Sequence, residues 1–63
     1  MSNLAKYRRE AGMTQEEAAK AVDVTRQTII AIEKGNYIPS VLLALKIAKL
    51  FNVPVERIFY YEA

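Results

Sequence analysis

Apolar residues recur along this chain at helical spacing. Leu4, Tyr7 and Ala11 fall at i, i+3 and i+7, which predicts a first helix from about residue 3 to 11. Gly12 follows as its stop. Thr14 and Glu17 fit a capping box, in which each side chain satisfies the other residue's backbone N–H, so a second helix opens at Thr14. Ala18, Ala19 and Ala21 fill that helix with small residues and let a neighbour approach closely. Asp23-Val24 interrupts the pattern, and Thr25 is the next N-cap. A third helix runs from about Arg26 to Lys34 and stops at Gly35. After the loop Asn36-Tyr37-Ile38-Pro39, Ser40 caps a fourth helix reaching about Phe51. Asn52-Val53 breaks it, and Pro54 opens a short fifth helix, Val55 to Ile58. Strand patterning is confined to the tail Ile58-Phe59-Tyr60-Tyr61. The expected class is therefore all-α: five short helices in one domain over residues 1–63, with a tail from about residue 57 that is able to add a strand.

Two of the caps, at positions 14 and 25, lie eleven residues apart. That leaves room for about two helical turns and a tight corner. So short a connection favours a steep angle of roughly 90–120° between the two helices, the geometry of a helix-turn-helix.

Around the third helix, at about 100° per residue, Ile29 and Ile32 define a buried stripe. Gln27, Ile30, Ala31 and Lys34 fall on the opposite side, with Arg26 to one flank of the first turn. Such a face suits the major groove of B-DNA: Gln pairs bidentately with adenine, Arg with guanine, and Ile30 is placed to touch a thymine methyl. The same polar face also describes an ordinary surface helix. Glu33 lies about 70° from the middle of the apolar stripe, at the edge of the core, where an unpaired ion is costly. Arg8, next to core residue Tyr7, is the partner of choice; the alternative is a carboxylate reaching water.

The fourth helix is apolar almost all round, apart from a strip of Lys46 and Lys49. One core needs one stripe, so a second apolar face is left over. The expectation is a two-fold homodimer through Leu50, Val53, Phe59, Tyr60 and Tyr61; the alternative is a tail folded back over its own fourth helix.

Composition narrows the function. The chain has 63 residues, 52% of them hydrophobic and 25% charged, which is globular composition. A chain so short buries only about 60% of its unfolded surface and usually needs help to be stable. With no Cys and no His, disulfides and the common soft-metal ligands are absent, so a partner subunit is the helper left. Neither Ser2 nor Ser40 has an imidazole to activate it, which argues against an enzyme; no cofactor is implied. No apolar run approaches the roughly 20 residues of a membrane span. The first six residues lack the apolar stretch of a secretory signal, so a cytoplasmic, nucleoid-associated protein is expected. Net charge +2 and a pI near 9.1 permit a nucleic-acid partner without requiring one.

The ordered set from Thr14-Gln15-Glu16-Glu17-Ala18-Ala19 through Val24-Thr25-Arg26-Gln27-Thr28-Ile29 resembles the lambda-repressor-like (XRE-type) helix-turn-helix family. The likeness continues through Ile32-Glu33-Lys34-Gly35, Tyr37-x-Pro39-Ser40 and Ala44-Leu45-x-Ile47-Ala48, nearly the whole chain, and is closest to short stand-alone repressors. By position, the resemblance implies that Gln15 meets the DNA backbone from a helix N-terminus. It implies that Thr25, Arg26 and Gln27 start the recognition helix, where base and phosphate contacts concentrate. Ala31 falls where some members place a base-reading side chain. Lys34, Asn36 and Tyr37 match a phosphate-gripping loop, and Arg8 and Glu33 a partly buried ion pair. Two positions depart from the pattern. Asp23 stands where the family favours Gly, and Ala18 where it commonly has Leu, which lightens the core unless Tyr7 or Phe51 fills the gap.

The function implied is a sequence-specific, double-stranded-DNA-binding regulator, most simply a repressor on a palindromic operator. Two alternatives stay open: the antitoxin of a toxin–antitoxin pair, and a protein-interaction module that kept the fold without DNA binding. No small-molecule ligand is inferred.

Overall fold

A computed structural model describes residues 2–61; Glu62 and Ala63 of the expected tail lie outside them. Five helices follow in order: α1 Leu4–Glu10, α2 Gln15–Ala21, α3 Arg26–Lys34, α4 Val41–Phe51 and α5 Val55–Ile58. Local chemistry sets their ends. Thr14 Oγ1 accepts from the Glu17 N–H at 3.0 Å, and Glu17 Oε1 accepts from the Thr14 N–H at 2.8 Å, completing the capping box. Thr25 caps α3 by accepting from the Thr28 N–H, and Ser40 caps α4 by accepting from the Leu43 N–H. Gly35 ends α3 in the left-handed region at φ 79°.

α1 is one residue shorter at each end than its apolar spacing predicts. Asn3 does not cap it; the Asn3 side chain instead donates to the Arg57 carbonyl, and its backbone N–H donates to the Ile58 carbonyl at 2.7 Å. The start of the chain is thereby tied to α5. The tail forms no regular strand among the described residues: Phe59 makes one isolated antiparallel bridge, to Ser2 of the same chain.

The corner between α2 and α3 turns on Asp23, which takes φ 64°. The Val24 N–H then donates back to the Ala19 carbonyl at 2.9 Å and closes the end of α2. Left-handed backbone strains residues with a Cβ, though Asp and Asn tolerate it better than most. Asp23 is exposed, so a change there acts through the backbone. Asp23→Gly should raise the free energy of unfolding by about 0.5 kcal/mol, and Asp23→Ala should lower it by about 1 kcal/mol, read as urea midpoints.

The core gathers Leu4 from α1, Ala19 and Val22 around α2, Ile29 and Ile32 from α3, three residues of α4 and Ile58. Ile29 and Ile32 are both fully buried, as the α3 stripe requires. Ala18 is buried too, and Tyr7 and Phe51, with ring centroids 6.2 Å apart, pack against the core cluster. α2 packs along α3, α1 also reaches α3, and α5 lies on α4. No helix of the described residues is long and apolar enough to cross a membrane.

Candidate nucleic-acid interface

The N-terminal turn of α3 projects from the body because Ile29 and Ile32 anchor the rod from behind. Arg26 and Gln27, ahead of that anchor, are both exposed. Thr25 is exposed as well; its hydroxyl lies 3.1 Å from Thr28 Oγ1 and also holds the cap. Ile30 and Ala31 are half-buried rather than open, since α3 is wedged between α1 and α2 and only its first turn and its Gln27/Lys34 edge reach solvent fully. Lys34, Asn36 and Tyr37 are exposed at the far end of the rod. The expected contact residues thus fall into two groups, one at each end of α3.

Gln15 joins the first group. With Thr14, Glu16, Arg8 and Arg26 it lines one cleft between the starts of α2 and α3. It is half-buried, and its carboxamide is not free: Nε2 donates to Glu33 Oε1 at 3.1 Å. The spacing of the chain held no sign of that bond, because positions 15 and 33 meet only when α2 packs on α3.

Behind the cleft lies an ion pair. Arg8 Nε donates to Glu33 Oε2 at 2.7 Å and Nη2 to Glu33 Oε1 at 3.2 Å, a two-pronged contact. The third donor, Nη1, reaches the Met13 carbonyl at 2.9 Å. The two side chains are only 10% and 9% exposed. Burial alone would push the Glu33 carboxyl upward. Hydrogen bonds from Arg8 and Gln15, with the charges of Arg8 and Arg9, outweigh it and hold the group below the ordinary glutamate range. The hydrogen bond that Arg8 donates to Glu33 correspondingly raises the guanidinium. The Arg8–Glu33 pair therefore fastens α1, the turn at Met13, the first residue of α2 and the last turn of α3.

The expected dimer residues separate. Leu50, Val53 and Phe59 are half-buried and pack against the chain's own core, whereas Tyr60 and Tyr61 are exposed. The open apolar surface is elsewhere, on Val41, Leu42 and Leu45 at the start of α4 and on Tyr37 and Ile38 of the loop before it. A helix apolar on every side carries no periodic signal for which half stays open. The lysines were a usable clue: exposed Lys46 and Lys49 occupy the later turns, leaving only the first turns of the outward face apolar.

Comparison with known proteins agrees with this geometry. The sequence profile of the Helix-turn-helix family matches residues 4–58. An HTH-type transcriptional regulator of Methanocaldococcus jannaschii is 59% identical over 63 residues, covering 98% of this chain and 96% of the relative. The HTH-type transcriptional regulator YgzD of Bacillus subtilis is 55% identical over 51 residues, covering 81% of this chain and 77% of its own length. Among solved structures, the SOS-response transcriptional repressor LexA from Eubacterium rectale superposes with a TM-score of 0.82 at 33% identity. That match takes in 87% of this chain and 58% of the solved one, so the chain spans little more than half of that repressor. With two caps eleven residues apart, a sharp corner at Asp23 and an outward-facing third helix, the chain belongs to the XRE-type helix-turn-helix family of transcriptional regulators.

Proposed function

We propose that the protein is a sequence-specific repressor that occupies a palindromic DNA operator as a homodimer. The observation that carries the reading is the projecting first turn of α3, where Arg26 and Gln27 stand exposed on a rod anchored by Ile29 and Ile32. Both side chains have the bidentate geometry that distinguishes base pairs in the major groove. Gln15 and Thr25 beside that turn, and Lys34, Asn36 and Tyr37 at the far end of α3, carry groups suited to phosphate oxygens, which position the protein without reading sequence. Ile30 has enough exposed surface to meet a thymine methyl at the edge of the contact. Blocking a promoter needs nothing beyond occupancy, and the likeness to a protein named a transcriptional repressor supports that direction of control.

The test is selection of bound sequences from random duplex DNA. Selected sequences should converge on two inverted half-sites about one helical turn apart, and affinity for them should fall steeply with salt as phosphate contacts release counterions. Recovery of no consensus, with no salt-dependent binding to any duplex, would point instead to an interaction module that has lost DNA binding.

A further inference from the structure

We propose that Glu33 is a positioning residue for DNA: its carboxylate holds the Gln15 carboxamide in the one sense that leaves an N–H for a phosphate of the duplex. The inference rests on the DNA-binding reading above and names a residue of α3 that acts on the duplex through α2.

The two groups have unequal chemistry. An ionised carboxylate only accepts hydrogen bonds, whereas a carboxamide has an oxygen that accepts and a nitrogen that donates twice. Glu33 Oε1, which accepts from Gln15 Nε2 at 3.1 Å, therefore decides which end of the amide turns inward. The flipped amide would set its own oxygen against a charged one. In the observed sense one N–H goes to Glu33, and the other remains for the cleft that Gln15 lines with Thr14, Glu16 and Arg26. A phosphate oxygen, like the carboxylate, only accepts. One nitrogen is thus set to bridge two anions, Glu33 within the protein and a phosphate outside it.

The support behind Gln15 is fixed. Glu33 Oε2 accepts from Arg8 Nε at 2.7 Å and Oε1 from Arg8 Nη2 at 3.2 Å, while Arg8 Nη1 is tied to the Met13 carbonyl at 2.9 Å. The Arg8 and Glu33 side chains are 10% and 9% exposed, so neither has room to turn. Arg8 already matches the charge of Glu33; what the third bond adds is the orientation of Gln15. That residue is half-buried at the start of α2, and its long side chain is otherwise free to rotate. Ordering such a side chain only on binding costs roughly threefold to tenfold in affinity. Charge alone argues for the opposite sign. A carboxylate close to a DNA-binding face repels phosphates, so its removal would tighten binding unless Glu33 serves another purpose there.

Competition binding to the selected operator, in a double-mutant cycle of Gln15→Ala and Glu33→Gln, tests the proposal. Binding is compared at a temperature where circular dichroism shows every variant folded. Glu33→Gln offers Gln15 either an oxygen or an N–H and no longer enforces one sense. It should bind about threefold to tenfold more weakly than the wild type. In the Gln15→Ala background the same substitution should cause no further weakening, because the group it positions is gone. A Glu33→Gln variant that binds as tightly as the wild type, or more tightly as charge alone requires, overturns the proposal. So does a weakening that persists undiminished in the Gln15→Ala background, the mark of a change acting through the stability of the fold. If Glu33→Gln fails to fold, the side-chain amide NMR spectrum of the isotope-labelled wild type decides. One Gln15 Nε2 proton should exchange slowly in the free protein, and the other should shift when the operator is added; an amide unmoved by the operator overturns the proposal. A wild type that binds no duplex defeats the DNA-binding reading and this proposal together, whereas a failed cycle on an operator that the wild type binds defeats the positioning role alone.

Discussion

Replacing Glu33 with alanine should lower the free energy of unfolding by about 2–3 kcal/mol, somewhat less than the roughly 3–5 kcal/mol that breaking a fully buried ion pair costs. Three donors lose their acceptor together: Arg8 Nε, Arg8 Nη2 and Gln15 Nε2. The guanidinium is then left with the Met13 carbonyl alone, at a site where its side chain is 10% exposed and water reaches it poorly. The cost stays below that of a fully buried pair because both groups lie at the margin of the core. Glu33→Gln should do less damage, since the carboxamide oxygen still accepts a hydrogen bond and only the charge is gone.

Acid separates the two forms. The Glu33 carboxyl titrates lower in the folded chain than in the unfolded one. Its contribution is therefore complete above the ordinary glutamate value near 4.5 and is lost as pH falls through the depressed folded value. Urea titrations of wild type and Glu33→Gln should differ most at neutral pH and converge in acid. Curves that run parallel from neutral to acid pH would show that the carboxylate charge contributes nothing.

Arg26→Ala and Gln27→Ala should each weaken binding to the selected operator by about 1–3 kcal/mol, roughly fivefold to 150-fold, and relax the preference at one base pair per half-site. Both residues are exposed at the start of α3, ahead of the Ile29 and Ile32 anchor, so the substitutions remove a reading group without opening the core. Lys34→Ala is the informative contrast. Lys34 lies in the last turn of α3 and is exposed, and a phosphate contact there weakens all sequences alike while reducing the salt slope by about one. Competition footprints at several salt concentrations separate the two behaviours. Unchanged discrimination by the Gln27 variant would remove that residue from base reading.

How legible the molecule was depended on the range of the interaction. The bounds of α3, α4 and α5 follow from residues within one turn of each end: Thr25 and Ser40 as caps, Gly35 as a left-handed stop, Pro54 as an opening. The corner at Asp23 was legible for the same reason, because few residues other than Gly, Asn and Asp accept φ near 64°. The ion pair sits between local and distant effects. A helical wheel places Glu33 at the edge of the core, and Arg8 follows as a candidate partner from its place beside core residue Tyr7, but the two-pronged contact exists only once α1 packs on α3. Gln15 shows the limit: its position at the start of α2 was plain, and its bond to Glu33 was not.

Taken alone, the amino-acid order determined five helices, their caps, the sharp turn at residue 23 and the polar first turn of α3, since each rests on backbone sterics or on neighbours a few residues away. Tertiary structure decided which apolar residues are left over. Hydrophobicity runs all round α4 and through the tail, and burial is a property of what packs on top. Once α5 and the Ser2–Phe59 bridge engage Leu50, Val53 and Phe59, exposure shifts to Ile38, Val41, Leu42 and Leu45. No periodicity encodes that choice, because apolar burial has no direction of its own until the neighbouring elements are in place.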